Sequence, residues 1–424
     1  MTTILALTDT PNDVRHFCDA DTTLLFTIRP LPPGDHTYAR FEQLYDVLRA
    51  SCDLSSVDVV IAEHVESLPL LYFMRRDGYS CPALMIPHAN PYPLHILFRF
   101  LLIAEYAHPG DLVICGSRNA ARAYERLTGI RAENICTFGI GDAYRGKDRA
   151  ECRSALALPR DRKILLYTGR FMNDKGLESL LSGYRLLRRA DPRVLLVMAV
   201  THIDPPYYNR LAPGLGEAIL FHRLERERTV ELYNAADLFV SGSTSVFETY
   251  GKSPLEALAC GTPAVVPRWE GFPHCVDEGN GGLVDVEYLS RPVANPFEFA
   301  RMCAEDFAAV CGRVLDRTEP WECRAPDWAR YETTMKILPD VIAGMAAAGR
   351  TTTAPRGSHL LDVDRYPDSV RAVLDCYGLK GTADLLHKAD RLGLLDQSSP
   401  GEEALLRDLH HDLFGVTDAG PRTG

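Results

Sequence analysis

Lysine is nearly missing from this chain. Seven lysines stand against 39 arginines in 424 residues, so any lysine in a loop stands out from the background of surface arginine. Long apolar runs are missing too. The most hydrophobic piece, "LHILFRFLLIAEY" at residues 94–106, is short and broken by Arg99, too short for a membrane span. It reads as a buried helix, with a membrane-surface helix as the lesser reading. The N-terminal "MTTILALTDT" has no basic region of the kind a secretion signal carries. The twelve cysteines form no Cys-x-x-Cys pair and no metal-binding spacing. Several, such as Cys115 and Cys260, sit inside apolar patterns and read as reduced, buried small residues. The expectation from these absences is a cytoplasmic protein without integral membrane association. A formal net charge of −11 argues against nucleic acid as a partner.

What is present is a rhythm. Short apolar runs rich in β-formers alternate with helical stretches. The first series is "ILALTD", "LLFTIR", "VDVVIAEH", "PALMIPH", "DLVICGS" and "NICTFGI". After a charged break the second is "KILLYTGR", "RVLLVMAV", "AILFHRL", "DLFVSGS", "PAVVPRW" and "GGLVDV". Continuous apolar runs suit strands buried on both faces, and alternation with helices predicts parallel sheets. The expectation is an α/β protein with two doubly wound, Rossmann-like domains facing across a cleft. The first spans residues 1–150 and the second 151–325. Residues 326–350 form a helix that closes the second domain or crosses back to the first. A Thr- and Pro-containing linker then leads to a helical extension at 351–424.

Residues 245–267, "SVFETYGKSPLEALACGTPAVVP", carry two glutamates eight positions apart, Glu248 and Glu256. The stretch reads as a loop at a strand's carboxyl end, a helix, and the next strand. Ser253 suits the N-cap and Pro254 the first helical position. Ser253 and Glu256 then make an S-x-x-E capping box, which alone would account for Glu256. Taken whole, the loop offers more. A helix N-terminus attracts anions, Gly251 permits close backbone approach, and Lys252 adds a charge. Carboxylates on either side accept hydrogen bonds from sugar hydroxyls. A nucleotide sugar, with diphosphate in the middle and a sugar at each end, fits that layout. "YTGRFMNDKG" places Arg170 and Lys175 five apart after another strand, where two cations can meet phosphate oxygens. A solvated loop is the plain alternative for that short pattern.

Three blocks carry a family resemblance: "GRFMNDKG", "ERTVELYNAADLFVSGS" and "ETYGKSPLEALACGTPAVVPRWEGFPHCVDEGNGGLVDV". Over residues 160–290 the chain resembles family-4 retaining glycosyltransferases of the GT-B fold. The resemblance is weaker in the first half and ends near residue 350. It implies that Arg170 and Lys175 bind the donor diphosphate, that Glu256 takes the ribose hydroxyls, and that Glu248 contacts the transferred sugar. It implies that Tyr250, Gly251 and Lys252 approach sugar and phosphate, that Arg223 and Leu224 lie beside the base, and that His88 acts on the sugar from the first domain. The chain departs from the family at Thr249, Lys252 and His274, and its first loop, "LTDTPNDVRHF", lacks the family's glycines.

The reading is a metal-independent hexosyltransferase that moves a sugar, with retention, from a nucleotide diphosphate sugar to a small-molecule or natural-product acceptor. No cofactor beyond the donor is expected, and the oligomeric state is open. An isolated D-x-D at residues 362–364 lies in the tail and reads as accidental. Rival readings on the same architecture are a nucleotide-sugar epimerase, a sugar phosphorylase or a non-catalytic nucleotide-sugar-binding subunit.

Overall fold

The computed structural model describes residues 2–8, 22–28, 38–137, 139–245, 248–289, 300–350, 363–381, 385 and 408–410. The chain divides into two compact units: Met1–Thr137 with Thr333–Thr417, and Phe138–Glu332 with Asp418–Gly424. The division thus falls thirteen residues before the position expected from the charged break at 150.

In the first unit, strands β1 (Ile4–Thr8), β2 (Thr23–Thr27), β3 (Val59–Glu63), β4 (Ala83–Ile86), β5 (Leu112–Cys115) and β6 (Ala132–Asn134) form one sheet. Its order is β2-β1-β3-β4-β5-β6, and each pairing is parallel. β1, β3, β4 and β5 are buried along their whole length, as unbroken apolar runs require. The helix Leu94–Glu105 is buried through Ala104, Arg99 included, so the apolar 94–106 stretch is a core helix. The last strand departs from the sequence reading. "NICTFGI" was expected to pair, but β6 ends at Asn134. Ile135 instead packs into the core, and the Cys136 carbonyl accepts a hydrogen bond from Thr334 Oγ1 at 2.5 Å.

The second unit contains β7 (Lys163–Phe171), β8 (Val194–Ile203), β9 (Ile219–His222), β10 (Leu238–Val240), β11 (Ala264–Pro267) and β12 (Gly281–Val284). Their order is β12-β11-β10-β7-β8-β9, again all parallel. The order reverses between β7 and β10, and in open α/β sheets ligands bind outside the strand ends at that point. In the first unit the reversal lies between β1 and β3. A small antiparallel pair, β13 (Val286–Tyr288) and β14 (Ala300–Met302), follows β12.

Helix Tyr331–Ala348 joins the first unit. Leu338, Ile342 and Met345 pack with residues of β1, β3, β4 and β5. Asp368–Cys376 is helical in the C-terminal portion. The linker from residue 351, most of the tail and the glycine-free first loop lie outside the described residues. So does Asp362 of the D-x-D; Asp364 sits on a short turn, Val363–Arg365.

Candidate active site

The loops after β7 and β10 meet at the point where strand order reverses. They meet backbone to backbone. A Cβ placed on Gly176, whose φ is +59°, would lie 1.8 Å from the Gly242 carbonyl oxygen. One placed on Gly242 would lie 2.5 Å from the Gly176 carbonyl oxygen. No other residue fits that crossing, and it brings the Arg170–Lys175 segment against the loop that holds Glu248.

Charge follows. Lys175 Nζ donates to Glu248 Oε2 at 3.0 Å. Arg170 Nη2 donates to Asp174 Oδ2 at 2.6 Å, and Lys175 Nζ stands 3.9 Å from the same oxygen. Two sequence-identified cations and one sequence-identified glutamate therefore converge. Asp174, which the sequence reading passed over, is the buried acid between the cations. Its position four residues after Arg170 was the available signal.

Glu256 lies on helix Lys252–Ala259 and is only 7% exposed. The structure corrects the capping-box reading. Gly251, with φ +81°, is the N-cap, so Ser253 and Pro254 fall inside the first turn. Ser253 Oγ reaches the Thr168 carbonyl at 3.5 Å. Glu256 Oε2 accepts from the Tyr233 hydroxyl at 2.7 Å. That hydroxyl has one proton, so Thr168 Oγ1, at 2.6 Å from it, donates in turn. Tyr144 also hydrogen-bonds Glu256. Burial pushes the Glu256 carboxyl above its ordinary range; the tyrosine hydrogen bonds and the Lys252 charge oppose that shift. Neither tyrosine was found from sequence, because each comes from a separate segment.

Tyr250 is buried and donates to the Ala329 carbonyl at 3.2 Å. Lys252 is exposed at the start of its helix. His274 stacks on Trp328 with ring centroids 4.1 Å apart. Arg223 and Leu224 follow the edge strand β9, Arg223 exposed with φ +55° and its N–H bonded to the Val200 carbonyl at 2.8 Å.

In the first unit, His88 follows β4 with φ +51°. Its Nε2 is 3.2 Å from Glu63 Oε1, and its ring centroid is 4.5 Å from that of His64. Thr8 Oγ1, at the end of β1, donates to Glu63 Oε2 at 2.5 Å. The sequence held no metal spacing, yet donor atoms of Glu63, His64 and His88 lie within 4.8 Å of one another. Glu63 and His64 went unread because only the β1-β3-β4 strand order brings them to His88.

Residues 148–291 match the family described as glycosyl transferases group 1. That stretch is similar to a group 1 glycosyltransferase domain. It contains Arg170, Lys175, Arg223, Glu248 and Glu256. The D-inositol 3-phosphate glycosyltransferase 2 of Catenulispora acidiphila is 28% identical over 255 residues, 57% of this chain and 58% of that protein. The D-inositol 3-phosphate glycosyltransferase of Thermobifida fusca is 36% identical over 191 residues, 40% of this chain and 43% of that protein. The alignments to the first relatives thus span under two thirds of their length. Among solved structures, Anabaena HepE in complex with UDP and glucose aligns with TM-score 0.59 at 17% identity, over 81% of this chain and 100% of that one. Sucrose-phosphate synthase from Thermosynechococcus elongatus gives 0.55 at 19%, over 81% and 86%. These likenesses show the GT-B fold. No helix among the described residues is long and apolar enough to cross a membrane.

Proposed function

We propose that the protein is a retaining glycosyltransferase that uses a nucleotide diphosphate sugar and a small-molecule acceptor, without a catalytic metal or added cofactor. The observation that carries this reading is the cluster of Arg170, Lys175 and Glu248 at the strand reversal of a group 1 domain, with Glu256 buried nearby on the helix that follows. The Lys175–Glu248 pair suits an exchange. An incoming diphosphate takes Lys175, and Glu248 is released to accept from hydroxyls of the transferred sugar. Arg170 leaves Asp174 for the second phosphate. Two cations then stabilise the departing nucleoside diphosphate as charge develops on it, which is the electrostatic work a metal performs elsewhere. Glu256, held by two tyrosines, takes the ribose hydroxyls. His88 hydrogen-bonds the sugar or its developing charge, and the leaving phosphate oxygen takes the acceptor proton.

The test is calorimetric titration with UDP, GDP and ADP, followed by turnover of matching nucleotide sugars with an acceptor panel in excess chelator. Removing one charge-assisted contact costs about 1.5–3 kcal/mol, so Lys175→Ala should weaken nucleoside diphosphate binding about tenfold or more. Wild-type affinity in that variant removes Lys175 from the site. Activity that disappears with chelator and returns with Mg²⁺ rejects metal independence. Product with an inverted anomeric centre rejects retention, and turnover without acceptor favours an epimerase.

A further inference from the structure

We propose that Glu63, His64 and His88 bind a divalent transition-metal ion, with Zn²⁺ the best match to the donor set. All three donor atoms lie within 4.8 Å of one another, and the pair Glu63 Oε1 and His88 Nε2 is already at 3.2 Å. Ligands on one Zn²⁺ at bonds of about 2.0–2.2 Å sit a little over 3 Å apart, so small side-chain rotations close the remainder. Two imidazoles and one carboxylate suit zinc and its first-row neighbours, whereas Ca²⁺ and Mg²⁺ call for an oxygen cage. Three protein ligands leave a fourth position open, the arrangement of reactive rather than structural zinc sites.

The carboxylate is also prepared for the task. The Glu63 side chain has no solvent exposure. Thr8 Oγ1 holds its Oε2, and Oε1 is the oxygen that meets His88. A hydrogen bond on the outer oxygen orients a ligating carboxylate and tunes its basicity. A simple His88–Glu63 hydrogen bond would explain one ring against the acid. It leaves unexplained why a second imidazole, His64, lies 4.5 Å from the first with its donor atom in the same small volume.

Metal binding here stands on geometry alone. Its consequence rests on the proposed role of His88: an ion that takes the ring nitrogen competes with the donor sugar, so Zn²⁺ inhibits a transferase that needs no metal itself.

The experiment titrates chelator-stripped, full-length protein with ZnCl₂ by calorimetry and with CoCl₂ by absorption. The expected result is one saturable equivalent at micromolar metal, with a cobalt spectrum free of sulfur-to-metal charge transfer. His64→Ala should weaken that affinity at least tenfold, and His64→Gln, which keeps bulk and polarity, should do the same; thermal melts confirm that the variants fold. Unchanged affinity in a folded His64 variant overturns the site. So does the lack of a saturable equivalent, or a cobalt spectrum dominated by thiolate, which assigns the metal to cysteines. These readouts hold whether or not any nucleotide sugar is turned over. Where turnover is found, Zn²⁺ should inhibit wild type at concentrations that leave His64→Gln unaffected, and equal inhibition of both overturns the proposed competition.

Discussion

Glu256 bears an electrostatic cost that its helix alone does not require. Its carboxyl is 7% exposed and held above the ordinary range, chiefly by burial. An acid whose folded value lies above its unfolded one binds more protons in the folded state between those two values. Stability then falls as pH rises through that window, and the whole penalty persists at higher pH. Glu256→Gln removes the charge and keeps an oxygen to accept from Tyr233. The variant should melt above wild type at pH 7, and the gap should close below about pH 4, where the acid is protonated in both states. Nucleoside affinity should fall in the same variant, a trade of function against stability. Calorimetric melts across that pH range check the sign. A Gln variant less stable than wild type at pH 7 would mean that the Tyr233 and Tyr144 hydrogen bonds to the ionised form outweigh desolvation.

At the scale of elements, the apolar runs marked most strands because both faces of a parallel sheet are buried. They failed at β6, an edge strand of three partly buried residues, Ala132–Asn134, whose apolar neighbour Ile135 packs instead of pairing. The loops were legible where chemistry and sequence neighbourhood coincide, as for Arg170, Lys175 and Glu248. They were illegible where strand order supplies the neighbour, as for Thr8, Glu63 and His64, or for Tyr233 against Glu256. The capping box misled because Gly251 at φ +81° starts the helix earlier than Ser253. The crossing of Gly176 and Gly242 is the element-scale feature most exposed to mutation. Gly176→Ala places a methyl against a carbonyl oxygen at a left-handed position. Strain at such a position is on the order of 1–3 kcal/mol before the clash is counted. The variant should lose more than about 2 kcal/mol in denaturant unfolding. If it folds at all, it should lose nucleoside diphosphate affinity with it, since the loops carrying Lys175 and Glu248 are pushed apart. A variant with wild-type midpoint and affinity would show that the loops can separate freely.

Across the whole molecule, the two sheets differ in how the chain completes them. Among the described residues the second unit is one continuous segment within Phe138–Glu332, with its own core from Leu165 and Tyr167 on β7 to Val314 on helix Ala304–Asp316. The first unit is not continuous. Its sheet face of Ile4, Ala6, Val59, Ile61, Leu84, Ile86, Leu112 and Ile114 is covered by Leu338, Ile342 and Met345, which arrive about two hundred residues after the first segment ends at Thr137. Each of those three buried side chains contributes on the order of 1.5–3 kcal/mol, and a domain's whole stability is about 5–15 kcal/mol. Residues 1–137 alone therefore lack a decisive share of their core. Expressed as a fragment, 1–137 should aggregate or give no cooperative melt. Fragment 138–332 should melt cooperatively and bind nucleoside diphosphate, because Arg170, Lys175, Glu248 and Glu256 all lie within it. In the full chain, Leu338→Ala should cost about 2–5 kcal/mol, the range for opening a cavity at a buried leucine. A folded, cooperative 1–137 fragment would mean that the returning helix is a covering and not a part of the core; a 138–332 fragment that folds yet fails to bind any nucleotide would move the donor site away from the residues assigned to it.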